Sequence, residues 1–369
     1  MDFLKGVIKR NEMDSSFKNL LIEMSQNNAS DLHLKDGYPP IFRIDGNLMM
    51  SDHPELSPDN IEKMSFSVLN EEQRERFKRE WELDFAIEVE GVARYRINLY
   101  IQRGSLAAAV RMLPAKIPSL SECGLNQELI IEKLLKRKRG LILVTGPTGS
   151  GKSTSIASMI EWLNENGTNH IITVEDPIEY VFKSRSSVID QREVGTDTHS
   201  FSNSLRHILR EDPDVILVGE MRDLETVEAA LNIAETGHLV LATLHTPDAI
   251  QSINRIIDIF PAHKQSQVRV QISFVLLAVL TQQLMAKKEG PGRVLAYEMM
   301  IANHAVRSMI RESKVHQITS TLQTAQAEGM STMNQSLVNL YLKGDIGYEQ
   351  AMLHSLDVED LKKLIQRKA

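Results

Sequence analysis

Cysteine is almost missing from this chain. Cys123 is the only one in 369 residues, so neither an intrachain disulfide nor a cysteine-built zinc site can form. That usage suits a reducing compartment, and the lone thiol reads as an inert packing group. Long hydrophobic runs are missing too. The most apolar stretch, Ser273 to Leu280, is flanked by Gln271, Gln282 and Gln283 and is too short to span a bilayer. It reads as part of a buried helix. The N-terminus carries Asp2, Lys5, Lys9, Arg10 and Glu12 with no apolar core between them, which excludes a secretory signal. There is no basic excess: 42 Lys and Arg stand against 49 Asp and Glu, a net charge of −7. Basic stretches interleaved with aromatics are absent as well, which argues against a nucleic-acid partner. No internal repeat or low-complexity segment occurs. These absences point to a cytoplasmic protein without direct membrane insertion, associated with a membrane only through another protein.

What the chain does have is centred on Gly146, Pro147, Thr148, Gly149, Ser150, Gly151, Lys152 and Ser153, a full match to the phosphate-loop pattern G-x-x-x-x-G-K-[ST]. Leu141-Ile142-Leu143-Val144 before it suffices for one buried strand. Ile156, Met159, Ile160 and Leu163 after it share one face of a helix. Glycines in such a loop let backbone N–H groups turn toward phosphate oxygens at a helix N-terminus. Lys152 is placed to reach the β- and γ-phosphates, the Ser153 hydroxyl to bind Mg²⁺, and Thr154 completes the nucleotide-binding segment.

The length suggests about two domains. Residues 3–26 have a helical stripe of Phe17, Leu20, Leu21 and Met24. Strands are expected at 31–34 and 41–44, with Asp45-Gly46 as a hairpin signal. One charged helix is expected from Asp59 to about Arg79. Strands follow at 83–89, 93–102 and 106–113. In the second of these Tyr95, Ile97, Leu99 and Ile101 alternate with Arg94, Arg96, Asn98 and Tyr100, so a core stripe backs a polar face. This makes residues 1–113 an α+β domain. Pro114 and Pro118 bracket a linker, 114–118, that could act as a hinge. Residues 119–369 change to alternating strand and helix, an α/β pattern with a mostly parallel sheet covered on both faces. Its strands are expected at 141–145, 171–175, 215–218 and 239–244. Beyond Pro261 the pattern reads as almost all helical, with short helices and turns at Gly329 and Gly344 in a C-terminal region from about residue 300.

Each of those strands ends in polar residues. In an open parallel sheet ligands bind at the carboxyl ends of the strands. Glu175 before Asp176-Pro177, Glu220 after Gly219, and His245 should therefore surround one nucleotide with the loop. Hydrolysis needs a metal on the β- and γ-phosphates and a group to orient water. Glu175 and Glu220 are the two carboxylates for these tasks, and spacing does not say which takes which. His238 and His245 flank one strand and lack cysteine partners, a poor zinc set; His245 reads as a γ-phosphate or water sensor. Arg206 and Arg210 lie four apart on an expected helix, either pairing with Glu211, Asp212 and Asp214 or serving a subunit contact.

Several segments together resemble the secretion ATPase superfamily, and within it the retraction motors of type IV pili. They are Ala29-Ser30-Asp31-Leu32-His33-Leu34, Gly91-Val92-Ala93-Arg94-Tyr95-Arg96, the phosphate loop, Val174-Glu175-Asp176-Pro177-Ile178-Glu179, Val215 to Glu220, and Glu235-Thr236-Gly237-His238 through Thr246. The resemblance covers nearly the whole chain. It implies a PAS-like N-terminal domain, a RecA-like ATPase domain, a homohexameric ring and ATP with Mg²⁺ bound between the domains. Arg96 and Arg111, with Arg94 a further choice, would be supplied by the N-terminal domain. Glu175 would activate water, and Glu220 would support Mg²⁺, directly or through water. The implied partners are an inner-membrane pilus platform protein and a paralogous retraction or extension ATPase, which puts the chain at the inner membrane through the pilus machine. Extension and secretion relatives carry an extra N-terminal domain and a four-cysteine metal site; one cysteine and a start at the first α+β domain suit the retraction branch. Ala305-Val306-Arg307-Ser308-Met309-Ile310-Arg311-Glu312 resembles a retraction segment of that branch, keeping both arginines and the glutamate. The tail from Gly344 to Ile365 is similar to that of accessory retraction ATPases. Two other classes are a nucleotide-gated ring with little hydrolysis and a RecA-like motor on nucleic acid. The set Lys152, Glu175, Glu220 and Arg96 argues against the first, and the acidic charge balance against the second.

Overall fold

The computed structural model describes residues 13–44, 46–114, 116–290 and 292–368. The chain divides between Lys116 and Ile117 into two compact units. In the first, Asp14 caps α1 (Ser15–Gln26) by accepting from the Ser16 and Phe17 amides, and the helix buries Phe17, Leu20, Leu21 and Met24. Residues 3–12 of the expected helix lie outside the described residues, as does Asp45 of the hairpin pair. Strands β1 (Asp31–Leu34), β2 (Ile41–Ile44) and β3 (Asn47–Met50) follow, with Ile44 opposite Asn47 across the hairpin. The single charged helix expected next is two, α2 (Pro58–Phe66) and α3 (Glu71–Glu80). Ser57 and Asn70 each form a capping box, and the second starts a new helix in mid-stretch. Strands β4 (Glu82–Val89), β5 (Ala93–Gln102) and β6 (Ser105–Met112) complete a sheet of order β3-β2-β1-β6-β5-β4, antiparallel at every pairing. Tyr95, Ile97 and Leu99 are buried against the helices. Ile101, expected in the same stripe, is 38% exposed because it lies beside the β5–β6 turn. The Tyr95 hydroxyl donates to the Leu21 carbonyl (2.6 Å), tying α1 to the sheet.

The second unit begins with α4 (Gln127–Ile130), β7 (Gly140–Thr145), α5 (Lys152–Asn166), β8 (His170–Glu175), β9 (Val188–Glu193) and α6 (Phe201–Ile208). It continues with β10 (Val215–Val218), α7 (Leu224–Glu235), β11 (Leu239–Leu244), α8 (Ala249–Asp258) and α9 (Ala262–Val275). The strands β12 (Leu276–Ala286) and β13 (Arg293–Ile301) then lead into α10 (His304–Arg311), α11 (Ile318–Thr324), α12 (Met333–Lys343), α13 (Tyr348–His354) and α14 (Val358–Lys368). The sheet order is β13-β12-β7-β11-β10-β8-β9. All pairings are parallel except β12 with β13. Alternate residues of each central strand serve opposite cores: Leu141, Leu143, Ile172 and Val174 face α6 to α9, while Ile142, Val144 and Ile171 face α5. This is the doubly covered α/β sheet expected.

Two expectations fail here. The chain beyond Pro261 is not almost all helical, and Ser273 to Leu280 is not one buried helix. The helix ends at Val275 and β12 starts at Leu276. A strand covered on both faces is apolar without alternation, so its residues match a buried helix equally well. Strand β9 escaped notice for the opposite reason: it is the sheet edge and its sequence is largely polar.

The C-terminal helices are keyed to the sheet by Glu298 of β13. Its buried carboxyl accepts from the first helical amide of α8, Ala249 (3.0 Å), and from that of α12, Met333. Burial nevertheless pushes the group up to about 7, with Asp248 adding to the effect. A carboxyl raised in the folded state contributes stability that is full below its unfolded value and is lost as pH rises through the folded value. Wild-type stability should therefore fall relative to Glu298→Gln between pH 5 and pH 8. Thermal melts of both proteins across that range test this; a constant difference would remove Glu298 as the responsible group.

Candidate nucleotide and hydrolysis site

Strand β7 is buried along its length and delivers the chain into the phosphate loop at Gly146. Gly146, Gly149 and Gly151 all have positive φ, and α5 starts directly at Lys152. Gly146 has a second constraint. A Cβ there would lie 2.3 Å from the Gln282 carbonyl and 2.8 Å from Ser150 Oγ. Strand β12 thus presses its backbone against the loop. Two further contacts fasten the same edge: the buried hydroxyls of Thr145 and Thr281 (2.8 Å), and Gln282 Nε2 donating to Ser155 Oγ in the first turns of α5 (2.6 Å). Pro147, Thr148 and Gly149 form the exposed tip of the loop, while Ser150 and Lys152 are buried. Lys152 Nζ donates to the Gly146 and Pro147 carbonyls (2.8 and 2.9 Å) and lies 3.5 Å from His245 Nδ1. Burial pulls this ammonium below the usual lysine range, against the opposing pull of Glu220 and Glu179. Such a cation, already stripped of water, is suited to meet a phosphate.

The two carboxylates expected at strand ends occupy different electrostatic surroundings. Glu175, at the end of β8, shares a cavity of about 40 Å³ with Ser153, Glu179, Gly219 and Thr243. It is half-buried, and desolvation of its carboxyl pushes it up to about 7. Thr173 Oγ1 donates to its Oε1 (2.7 Å), Gln191 Nε2 lies 3.3 Å from the same oxygen, and the Glu179 backbone amide also contributes; none of these outweighs burial. Gly219 keeps the space beside it narrow: a Cβ there would stand 3.2 Å from Glu175 Cα. Glu220 feels burial too, yet Arg222 (2.6 Å) and His245 (3.3 Å) hold its carboxyl below the ordinary range. His245 therefore bridges Lys152 and Glu220. Arg222, Thr173 and Gln191 were not singled out from the sequence. Of these only Thr173 left a signal, as a lone polar residue inside the apolar run Ile171-Ile172-Thr173-Val174.

The remaining expected residues fall elsewhere. His238 stands at the start of β11 and His245 just past its end, so the strand separates them; His238 Nδ1 is instead near the Ile233 carbonyl and Thr236 Oγ1. Among the described residues no cluster of three His, Cys, Asp or Glu could hold a metal. Cys123 packs against Ser158 Oγ (3.1 Å), and burial pushes its thiol up. Arg206 does not pair with the acids that follow it: it meets Glu225 (2.8 Å), Arg192 takes Glu211, and Arg210 lies beyond the end of α6. Arg94, Arg96 and Arg111 belong to the first unit. Arg96 and Arg111 are direct cross-strand neighbours on its polar face, Arg111 pairing with Asp31 (2.9 Å) and Arg96 lying 3.7 Å from Asp84. In the 305–312 segment, Val306 and Ile310 are buried. Arg307 donates to the carbonyls of Ser273, Phe274 and Leu276 at the end of α9, so its charge is spent on a helix terminus, whereas Arg311 is exposed. Ser308 donates to Glu312 (2.7 Å).

A parallel sheet with one strand entering a phosphate loop, and with acids at the ends of two further strands of the same sheet, β8 and β10, defines a phosphate-loop ATPase. The chain belongs to the Type II/IV secretion system protein family, whose model matches residues 9–290. It is 46% identical over 332 residues to the type IV pilus retraction ATPase PilT of Pseudomonas aeruginosa, covering 90% of this chain and 96% of that one. It is 40% identical over 350 residues to the type IV pilus ATPase PilU of the same organism, covering 95% and 91%. A crystal structure of the pilus retraction motor PilT with bound ADP superposes with a TM-score of 0.87 at 51% identity, covering 94% of this chain and 98% of that one. By fold and family the protein is an ATPase that binds nucleotide.

The contact between Gly146 and β12 leads to a direct test. Gly146→Ala should force the loop away from Gln282 and weaken binding of an ATP analogue by at least about tenfold, since a Cβ has no room and the backbone is in a region L-residues avoid. Titration with a fluorescent analogue measures it; unchanged affinity would mean that the close approach does not hold the loop.

Proposed function

We propose that the protein is an ATP-hydrolysing motor that powers type IV pilus retraction and hence twitching motility. The observation that supports hydrolysis best is Glu175, half-buried at a strand end in a cavity shared with Ser153, where burial pushes its carboxyl up to about 7. A general base works best when its pKa lies near the working pH. In this reading Lys152 and the loop amides hold the phosphates, while Glu175 orients the attacking water and takes its proton. His245 senses the γ-phosphate from between Lys152 and Glu220. Mg²⁺ suits the donor set of Ser153 hydroxyl and an ionised Glu220 carboxylate, both hard oxygen ligands, the second directly or through water. When bound it would neutralise charge on the β- and γ-phosphates. Arg96 and Arg111, with Arg94 beside them, supply further positive charge from the N-terminal domain, residues 1–113. The 114–118 linker serves as the hinge between that domain and the ATPase domain, 119–369.

The motor would be a homohexamer that transmits hydrolysis to an inner-membrane platform protein and so drives pilin disassembly. It would work from the cytoplasmic face, alongside a paralogous retraction or extension ATPase. No described helix is long and apolar enough to cross a membrane. The similarity to PilT and to a PilT–ADP structure supports retraction. An accessory, PilU-like role is the second reading, favoured by a match that extends over 95% of this chain. Deleting the gene in its own organism tests retraction: hyperpiliated, non-motile cells are expected, and loss of pili would point to extension instead.

At the site, Lys152→Ala and Glu175→Ala should each lower phosphate release by on the order of 10² or more with the melting profile retained. Near-normal turnover in either would refute its assigned role. Because Glu175 must be ionised to act as a base, kcat/KM should rise with pH up to about 7 and level off above it. A profile flat from pH 6 to 8.5 would count against this carboxyl.

A further inference from the structure

We propose that Thr173 and Gln191 are positioning residues that select which oxygen of Glu175 acts on the water; this rests on the reading of Glu175 as the base. Strand geometry brings the three together. Thr173 lies two residues before Glu175, on the same face of β8. The parallel register of β8 with β9 places Gln191 directly beside Thr173. Thr173 is fully buried, and its hydroxyl donates to Glu175 Oε1 at 2.7 Å. Gln191 Nε2 approaches the same oxygen at 3.3 Å.

The amide of Gln191 can be oriented in only one sense. Its Nε2 also donates to the Tyr180 carbonyl (2.8 Å), and its Oε1 accepts from the Phe182 amide (2.8 Å). Turning the amide over would set oxygen against oxygen and nitrogen against nitrogen at both positions. The backbone of the loop after the acidic box therefore fixes the donor that faces Glu175. That loop is itself anchored from two sides. Tyr180 Oη meets Thr154 Oγ1 in the first turn of α5 (3.0 Å), and Glu193 Oε2 accepts from the Ile178 amide (3.1 Å).

A carboxylate oxygen has two lone pairs. Thr173 and Gln191 fill both lone pairs of Oε1, so the Glu179 amide, which also donates to this carboxylate, and the water share Oε2. The base acts through Oε2. In the hydrolytic step the water oxygen bonds to the γ-phosphorus, the bond from that phosphorus to the β–γ bridging oxygen breaks, and the water's proton passes to Glu175 Oε2. ADP and phosphate are the products. Removing either donor leaves the carboxyl held by one side-chain donor and the Glu179 amide, which no longer fix Oε1, and divides its population between productive and unproductive orientations. Misplacement of a reacting group on this scale costs on the order of 10- to 100-fold in rate.

The test is steady-state phosphate release by the full chain, with kcat and KM for ATP measured separately. Thr173→Val keeps the shape of the side chain and should lower kcat by about tenfold while KM stays within about twofold. Thr173→Ser restores the hydroxyl and should recover most of kcat. Gln191→Leu should lower kcat comparably, and as an edge-strand change it carries the same test if Thr173→Val does not fold. Wild-type kcat in Thr173→Val or Gln191→Leu, or failure of Thr173→Ser to recover activity, overturns the proposal. Glu175→Gln is measured alongside: inactive Glu175→Gln with a fully active Thr173→Val overturns the positioning role alone. An active Glu175→Gln overturns the base assignment and the positioning role with it.

Discussion

The phosphate-handling half of this protein depends on one close approach between two backbones, the Gln282 carbonyl against the α-carbon of Gly146. Only glycine fits there, and only β12 can bring the carbonyl in. The loop is thereby supported from the side as well as from its two ends, where β7 and α5 hold it. The Thr145–Thr281 hydroxyl pair and the Gln282–Ser155 bond fasten the same seam. A phosphate loop must present its amides without collapsing onto itself. A rigid neighbouring strand meets that need with hydrogen bonds that stay buried and fully enclosed. The next residue, Gln283, exchanges hydrogen bonds with His354 at the end of α13. One strand therefore touches the loop through its sequential neighbours on one side and the C-terminal helices on the other.

Around that loop the ionisable groups are sorted by their surroundings. Glu175 loses water and gains only neutral donors, so burial dominates and its carboxyl rises. Glu220 is also partly buried, but a guanidinium and an imidazole reach it, and it stays ionised. Two carboxylates of the same residue type at neighbouring strand ends thus acquire opposite tendencies. That is what a site requires when one carboxylate must exchange a proton and another must keep its charge. Lys152, pulled down by burial, completes the set. In the other unit, the polar face of the antiparallel sheet aligns Asp31, Arg111 and Arg96 across three adjacent strands. There the arginines are ordered by partners on their own sheet.

The C-terminal region divides its charges in a comparable way. Arg307 and Arg311 are four residues apart on one short helix, yet one guanidinium closes the carbonyl end of α9 while the other faces solvent. Glu298 closes two helix starts from the opposite direction. These side chains satisfy backbone groups that a helix end leaves unpaired.

Much of the site was legible in the residues. The loop spacing, the apolar strands around it and the polar residues at strand ends place Lys152, Ser153, Glu175, Glu220 and His245 at one end of the sheet. This works because the chemistry of a phosphate loop demands particular residues at short, fixed intervals, and because strands buried on both faces leave continuous apolar runs. The same rule misled at β12, where a doubly buried strand and a buried helix have one composition. Local spacing also missed Gln191, Arg222 and Gln282. Gln191 reaches Glu175 from 16 positions away and Gln282 reaches Ser155 from 127, while Arg222 lies only two residues past Glu220 but in no motif. Sequence alone determined the phosphate loop and the polar residues that end the strands around it. Which carboxyl is held near neutrality, which is held charged, and which strand braces the loop were decided by tertiary structure, because burial and hydrogen-bond donors arrive from segments that no local pattern connects.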